Sequence, residues 1–370
     1  MKRQRRILIY GATGFTGALV TRAALELSAE LVLAGRDPER IEAVARPLGL
    51  PFRAFTLDSP SQIVDALADV DVVLNVAGPL VDTAAPLIAG CLAARTHYLD
   101  VTGELSVFVD AHRVDTAARE RGIMIMPGAG FWIVASDCLA ADVANLLPGA
   151  KYLRLGCSGS ELFSRGSLRT VFRAMQGQIV IRRSGRLSSV PIGRLERQFD
   201  YGDGERASTA VSLPDVFTAY FTTGVPNIET YLEANLLART VGLLGVGLSA
   251  AVGATGLRPL LNLGFAAWPQ RPSDSERASA RQTLVMEAED GWRRSRRIRL
   301  VTSDGYTFTA DAAAAVAKRV IGGDFAPGFQ TPGKLYGPEL VLSIPNTHRE
   351  DLDEIARGES IDGKAQQDQR

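Results

Sequence analysis

The sequence predicts an α/β domain built on a doubly wound parallel sheet, followed by a second α+β domain with a mainly antiparallel sheet. Three observations carry this. Residues 6 to about 127 alternate short runs of Val, Ile and Leu with helix-like stretches, and a glycine-rich turn directly follows the first run. After Pro127-Gly128-Ala129-Gly130 the β patterns continue without helices in regular alternation. Apolar strands bounded by amphipathic helices describe a parallel sheet covered on both faces, and right-handed crossovers make it doubly wound.

In order, the first-domain strands are expected at Ile7 to Tyr10, Leu31 to Ala34, Phe52 to Leu57, Val70 to Val76, Tyr98 to Asp100 and Ile123 to Met126. Between them, Ala18 to Ser28, Pro38 to Leu48, Ser61 to Ala68, Thr83 to Ala94 and Leu105 to Arg121 are each long enough for a crossover helix. Lys151 to Ser158, Ile179 to Arg183, Gln198 to Tyr201 and Arg281 to Glu289 read as strands of the second sheet. The expected division is residues 1–130, a second domain over 131–330, a segment 331–346 returning to the first domain, and a polar tail 347–370 without periodicity.

The 370 residues carry 41 Lys+Arg and 41 Asp+Glu, so no net charge draws the chain to nucleic acid, and none is expected as partner. Hydrophobic residues at 46% suffice for a sizeable core and exclude a disordered class. Cys91, Cys138 and Cys157 are too widely spaced for a zinc site or a disulfide framework, which points to a reducing, cytoplasmic home. His97, His112 and His348 form no metal-binding grouping, so no metal is expected. The apolar run after Lys2-Arg3-Gln4-Arg5-Arg6 is too short for a signal peptide. Thr240 to Trp268 contains a single charge, Arg258, yet its glycines lower helix propensity. That stretch leaves open a buried helical hairpin, a dimer-forming surface or a peripheral, lipid-facing one.

Gly11-Ala12-Thr13-Gly14-Phe15-Thr16-Gly17 follows a strand and opens a helix. Glycines there let the backbone approach a pyrophosphate, and the helix N-terminus offers free N–H groups and the positive dipole end. Strand, loop and helix together read as a dinucleotide-binding Rossmann unit with Gly11, Thr13, Gly14, Phe15, Thr16 and Gly17 at the cofactor. The second strand ends Ala34-Gly35-Arg36-Asp37. A carboxylate at that end binds a ribose 2′-hydroxyl and a cation a 2′-phosphate, so Arg36 selects NADP(H), while Asp37 precedes Pro38 as a helix N-cap.

Ligands of doubly wound sheets lie at the carboxyl edge. Asp58 is therefore expected at the adenine, with helix capping as its alternative role, and Asn75, Ala77, Gly78 and Pro79 beside the ribose and nicotinamide. Reduction also needs a proton. No Tyr-x-x-x-Lys occurs in the chain, and Tyr98, Asp100 and Glu104 after the fifth strand are the candidates. A turn role for Asp100 and a capping role for Glu104 compete with that reading. Cys91 reads as core, and the cluster Arg293-Arg294-Ser295-Arg296-Arg297 as a solvated turn or a dock for an acidic partner.

Together these motifs make the chain resemble the saccharopine dehydrogenase-like oxidoreductases, which include the mycobacterial trans-acting enoyl reductases. The resemblance runs through the glycine loop, Ala34-Gly35-Arg36, Val76-Ala77-Gly78-Pro79, Tyr98-Leu99-Asp100-Val101-Thr102-Gly103-Glu104 and Gly130-Phe131. Later echoes are Ser164-Arg165-Gly166-Ser167-Leu168, Thr223-Gly224-Val225-Pro226-Asn227 and Gly328-Phe329-Gln330-Thr331-Pro332. Relatives commonly show Gly-Phe-Asp-x-x-Pro-Ser-Asp where this chain has Gly130-Phe131-Trp132-Ile133-Val134-Ala135-Ser136-Asp137, so the first Asp and the Pro are missing. Trp132 in their place suggests a more apolar pocket or a filled domain junction.

The resemblance implies an NADPH-dependent oxidoreductase reducing a C=C bond of a small, apolar or acyl-type substrate, with a carrier protein or lipid surface as partner and a homodimer open. Imine reduction of the saccharopine type is the alternative within enzymes; there, Arg165, Arg169 and Arg173 would recognise a carboxylate. A non-catalytic NADP(H)-binding, lipid-associated protein is the alternative outside them.

Overall fold

The computed structural model describes residues 4–159, 178–234 and 273–353. Thr240 to Trp268, Ser164 to Leu168, Arg169 and Arg173 lie outside the described residues. The first unit alternates β1 (Arg6–Tyr10), α1 (Phe15–Ala24), β2 (Glu30–Gly35), α2 (Pro38–Ala45), β3 (Phe52–Ala54), α3 (Pro60–Leu67), β4 (Val72–Asn75), α4 (Leu80–Ala94), β5 (His97–Asp100), α5 (Leu105–Arg113), α6 (Asp115–Arg121) and β6 (Met124–Met126). The rest comprises α7 (Phe131–Leu146), β7 (Tyr152–Gly159), β8 (Gln178–Arg183), β9 (Arg186–Pro191), β10 (Glu196–Asp200), β11 (Glu205–Ala210), α8 (Asp215–Thr223), β12 (Asn227–Glu233), α9 (Asp274–Ser279), β13 (Arg281–Glu289), β14 (Ser295–Ser303), α10 (Gly305–Ile321), β15 (Gly328–Phe329), α11 (Pro332–Tyr336), α12 (Glu339–Leu342) and β16 (His348–Asp351).

The first sheet is parallel, in the order β15-β6-β5-β4-β1-β2-β3. Its strands, apart from the exposed edge strand β3, are buried on both faces because alternate side chains feed two cores. Ile7, Ile9, Leu31, Leu33, Val72 and Leu74 enter one core; Leu8, Tyr10, Val32, Val73 and Tyr98 enter the other, with Leu87, Cys91 and Phe108. β15 arrives from the far end of the chain, pairing Gly328 with Met124 and Phe329 with Ile125.

The second sheet runs β10-β11-β12-β7-β13-β14-β16, with β8 pairing β12 and β9. Its pairs are antiparallel except β7 with β12. One apolar core joins the two sheets through α7 and α10, from Ile9 and Leu74 through Val134, Leu139 and Ala313 to Leu284 and Leu300. α7 is therefore buried on most of its circumference, which explains its nearly continuous apolar sequence.

Two boundaries differ from expectation. His348–Asp351 belongs to an edge strand rather than a tail, because its charges pair across the strands: Arg299 Nε donates to Glu350 at 2.7 Å, Arg297 pairs with Asp353 at 3.1 Å, and Arg349 reaches Asp142 at 2.8 Å. A strand held by ion pairs carries no hydrophobic alternation to read. β3 ends at Ala54, so Asp58 lies in the connection beyond it, and Ser59 rather than Asp58 is the N-cap residue of α3.

Candidate functional site

The glycine loop is built by exclusion. Gly11 has φ +94, and a Cβ there would stand 2.7 Å from the Ala77 backbone; one on Gly17 would stand 2.3 Å from the Gly11 carbonyl oxygen. Both positions are closed to any side chain, so the β1–α1 turn, the start of α1 and the β4 loop pack backbone to backbone. Gly14 differs: it is exposed, has an ordinary φ of −83, and a Cβ there would meet only the Gly11 oxygen at 3.3 Å. It is also the N-cap residue of α1 and brings no side chain to the helix N-terminus. The backbone angle does not force glycine at 14, although a Cβ would crowd the Gly11 oxygen, and its bare backbone leaves the first-turn N–H groups open to an anion. Thr13, Phe15 and Thr16 around it are half-buried.

Arg36, just past β2, is exposed and makes no ion pair among the described residues, as a residue awaiting a phosphate would. Asp37 caps α2, accepting from Arg40 N at 3.1 Å. Burial pushes the Tyr10 hydroxyl pKa up, with Arg36 opposing and Asp58 adding, so both charges face one corner of the sheet edge. Tyr10 and Phe55 rings, 5.0 Å apart, floor that corner. The loop, the uncapped helix end and the free cation together fit the pyrophosphate and 2′-phosphate of NADP.

The strand ends nearer the nicotinamide behave otherwise than expected. Asn75 is fully buried: its Nδ2 donates to Thr83 Oγ1 at 3.0 Å and to the Tyr98 hydroxyl at 3.1 Å, while its Oδ1 accepts from Ala77 N at 3.1 Å. It shapes the loop that carries Ala77, Gly78 and Pro79, the last two exposed, instead of facing a ligand. Tyr98 is likewise fully buried, and its hydroxyl donates to Asp100 Oδ2 at 2.9 Å. Asp100 Oδ1 accepts from Thr102 N and Gly128 N, each at 2.9 Å.

Tyr98 and Asp100, expected as proton donors, are thus both fully buried, and their polar atoms tie the β4, β5 and β6 loops together. Burial raises the Asp100 pKa to about 6 against the opposing pull of those donors. Glu104 alone of the three keeps partial exposure, at the N-terminus of α5, with its Oε2 3.3 Å from Thr102 Oγ1.

Opposite this edge stands the start of α7, directly after the first unit. Gly130 admits no side chain, since a Cβ would lie 3.0 Å from Thr309 Cγ2 and 3.1 Å from Val101 Cβ. It delivers Phe131 and Trp132 to the junction. Trp132, half-buried, packs beside Gly103, 3.3 Å from where a Cβ would be, and touches both cores. It thus fills the junction between the two cores, with part of the ring still exposed.

Two participants carried no motif and were missed in sequence. The Tyr306 ring meets the Phe15 ring edge-on at 5.2 Å, and the Arg277 guanidinium lies 5.7 Å from the same ring, with Nη1 donating to Thr307 Oγ1 at 3.1 Å. Only their place in the fold, in the last turn of α9 and at the start of α10, brings them to the glycine loop.

Behind the junction lie two buried carboxyl groups. Asp137 accepts from Thr222 Oγ1 at 2.8 Å and Gly333 N at 2.7 Å, and burial raises its pKa to about 6. Asp215 has no hydrogen-bond partner for either oxygen among the described residues. Burial raises it to about 7; Ser136 opposes, though its hydroxyl proton is given to the Trp132 carbonyl. Both groups are buried, Asp137 0% and Asp215 1% exposed. Among the described residues no group of His, Cys, Asp or Glu side chains is arranged to hold a metal, and no helix is long and apolar enough to cross a membrane.

Comparison with known proteins agrees with this geometry. Residues 7–126 match the model of the saccharopine dehydrogenase NADP binding domain. The trans-acting enoyl reductase of Mycobacterium ulcerans (strain Agy99) is 33% identical over 146 residues, 37% of this chain and 34% of that protein. That of Mycobacterium leprae (strain TN) is 36% identical over 146 residues with the same coverage. The match thus spans about a third of these relatives' length. Saccharopine dehydrogenase (L-Glu forming) from Saccharomyces cerevisiae superposes with TM-score 0.62 at 13% identity, covering 94% of this chain and 100% of that one. Residues 7–126 are thus similar to the saccharopine dehydrogenase NADP binding domain, and the chain as a whole shares its fold with the yeast saccharopine dehydrogenase.

Proposed function

We propose that the protein is an NADPH-dependent reductase acting on a C=C bond of an apolar, acyl-type substrate at the junction between the glycine loop and α7. The observation that carries the reading is the pair of aromatic contacts flanking that junction, Phe15 with Tyr306 at 5.2 Å beside the cofactor loop and Phe131 with Trp132 at 5.3 Å at the start of α7. NADPH supplies the hydride. The chain's own work is to hold the pyrophosphate on the first turn of α1, clasp the 2′-phosphate with Arg36, and exclude water with Phe131 and Trp132. Glu104, the partly exposed carboxyl at that edge, is the group assigned to relay a proton toward the reduced carbon. The likeness to proteins named trans-acting enoyl reductase supports the substrate class and a substrate presented on a carrier.

NADPH oxidation measured with α,β-unsaturated acyl thioesters of graded chain length, against pairs of a 2-oxo acid and an amino acid, tests this. Turnover rising with acyl length is expected. Turnover of the oxo acid pairs alone would assign imine reduction, and cofactor binding without turnover of either set would leave a binding protein.

A further inference from the structure

The β13–β14 hairpin holds a tryptophan in solvent. Trp292 is 85% exposed, although an indole ordinarily buries its large apolar area. Its display is built into the backbone. Asp290, itself buried, accepts from Trp292 N at 2.8 Å, Arg294 N at 2.9 Å and Arg294 Nε at 2.7 Å. Asp290 N donates to Arg294 O at 3.0 Å, Arg293 N donates to Asp290 O at 3.2 Å, and Arg293 sits at φ 64, where side-chain-bearing residues are uncommon. A turn closed this way sets the position of the indole rather than leaving it to a loose loop.

The surroundings share one character. Tyr152, opposite Glu289 in the sheet, is 39% exposed, with exposed Lys151 next to it. The acidic groups at this end are paired: Glu289 with Arg154 at 3.0 Å and Asp290 with Arg294. Arg293 at the tip, and Arg296 on the face of the hairpin opposite Tyr152, have no ion pair among the described residues, so cations flank the exposed indole on both faces of the turn.

We propose that this hairpin tip docks on an anionic lipid bilayer surface. Indole and phenol rings settle at the boundary between headgroups and acyl chains, and neighbouring cations reach lipid phosphates. A single tight turn enters a deformable headgroup layer without needing a preformed pocket, which favours a bilayer over an acidic protein groove. The inference stands apart from the catalytic reading, since the tip contributes nothing to the glycine loop.

The test is co-sedimentation of the full chain with vesicles of phosphatidylcholine alone and of phosphatidylcholine mixed with phosphatidylglycerol. Binding is expected to the mixed vesicles only, and to weaken with salt. Trp292→Ala should bind about ten-fold more weakly, Trp292→Phe should recover most of the loss, and Arg296→Gln should cost about five-fold. NADPH affinity should be unchanged in all three, which separates docking from folding. Absence of binding to the mixed vesicles, or equal binding by Trp292→Ala, overturns the proposal. Trp292-dependent self-association without vesicle binding overturns it too and assigns the tip to a protein contact.

Discussion

Alanine at Gly14 and at Gly17 should separate what the glycine loop does for the fold from what it does for the cofactor. At Gly17 the new methyl would stand 2.3 Å from the Gly11 oxygen and 2.8 Å from Ala12 Cα, both backbone, so the loop must move. Overpacking of that kind costs about 2–3 kcal/mol, and both stability and NADPH binding should fall. At Gly14 the methyl meets one atom at 3.3 Å and the backbone angle is ordinary. Replacing glycine at an N-cap costs at most about 1 kcal/mol, so Gly14→Ala should unfold in urea close to wild type. The same methyl would stand at the helix end proposed to hold the pyrophosphate, and NADPH binding should weaken by about ten-fold or more, equivalent to roughly 1.4 kcal/mol. Urea unfolding and a fluorescence titration on both variants read the two effects. Wild-type NADPH affinity in a stably folded Gly14→Ala protein would refute the placement of the pyrophosphate on this helix end.

Asp100→Ala removes the acceptor for two backbone N–H groups and the Tyr98 hydroxyl, and should destabilise by about 3 kcal/mol in urea; loss of turnover at unchanged stability would return Asp100 to a chemical role. Asp137 and Asp215 have folded pKa values of about 6 and about 7, above the ordinary 3.8, so the folded state retains protons that the unfolded chain has released. Their contribution to stability therefore falls as pH rises from about 4 to about 7 and levels off above. Asp215→Asn should flatten that decline and gain on the order of 3 kcal/mol over wild type at pH 8 relative to pH 4; an unchanged pH profile would show that Asp215 is not held protonated. Arg277→Ala should weaken NADPH and NADH alike, because the guanidinium lies by Phe15 at the loop rather than by Arg36; a change confined to NADPH would place it at the 2′-phosphate instead.

Six strands of the parallel sheet were legible because most are short apolar runs separated by crossovers, whereas β15, two residues long, was not; the glycine loop was legible because its neighbours in sequence are its neighbours in space. Arg36 and Asp37 were legible for the same reason. Asn75, Tyr98 and Asp100 were not: a polar residue at a strand's carboxyl end looks the same whether it faces a ligand or ties down a loop. What decides between them is Gly128, which supplies a donor from 28 residues away. Tyr306 and Arg277 reach the loop across more than half the chain, with no local pattern to announce them. His348–Asp351 read as a tail because ion pairs, not apolar alternation, hold that edge strand.

The central claim is that this loop and Arg36 bind NADP(H), and a side-by-side titration with NADPH and NADH of the wild type and Arg36→Ala tests it most directly. Arg36 is exposed, so its charged hydrogen bond to a phosphate is worth the lower end of the usual range, about 1.5 kcal/mol. The account predicts that the wild type prefers NADPH, and that the variant loses about ten-fold in NADPH affinity while its NADH affinity stays the same. Equal affinity of the wild type for the two cofactors, or a preference that survives in Arg36→Ala, would contradict it.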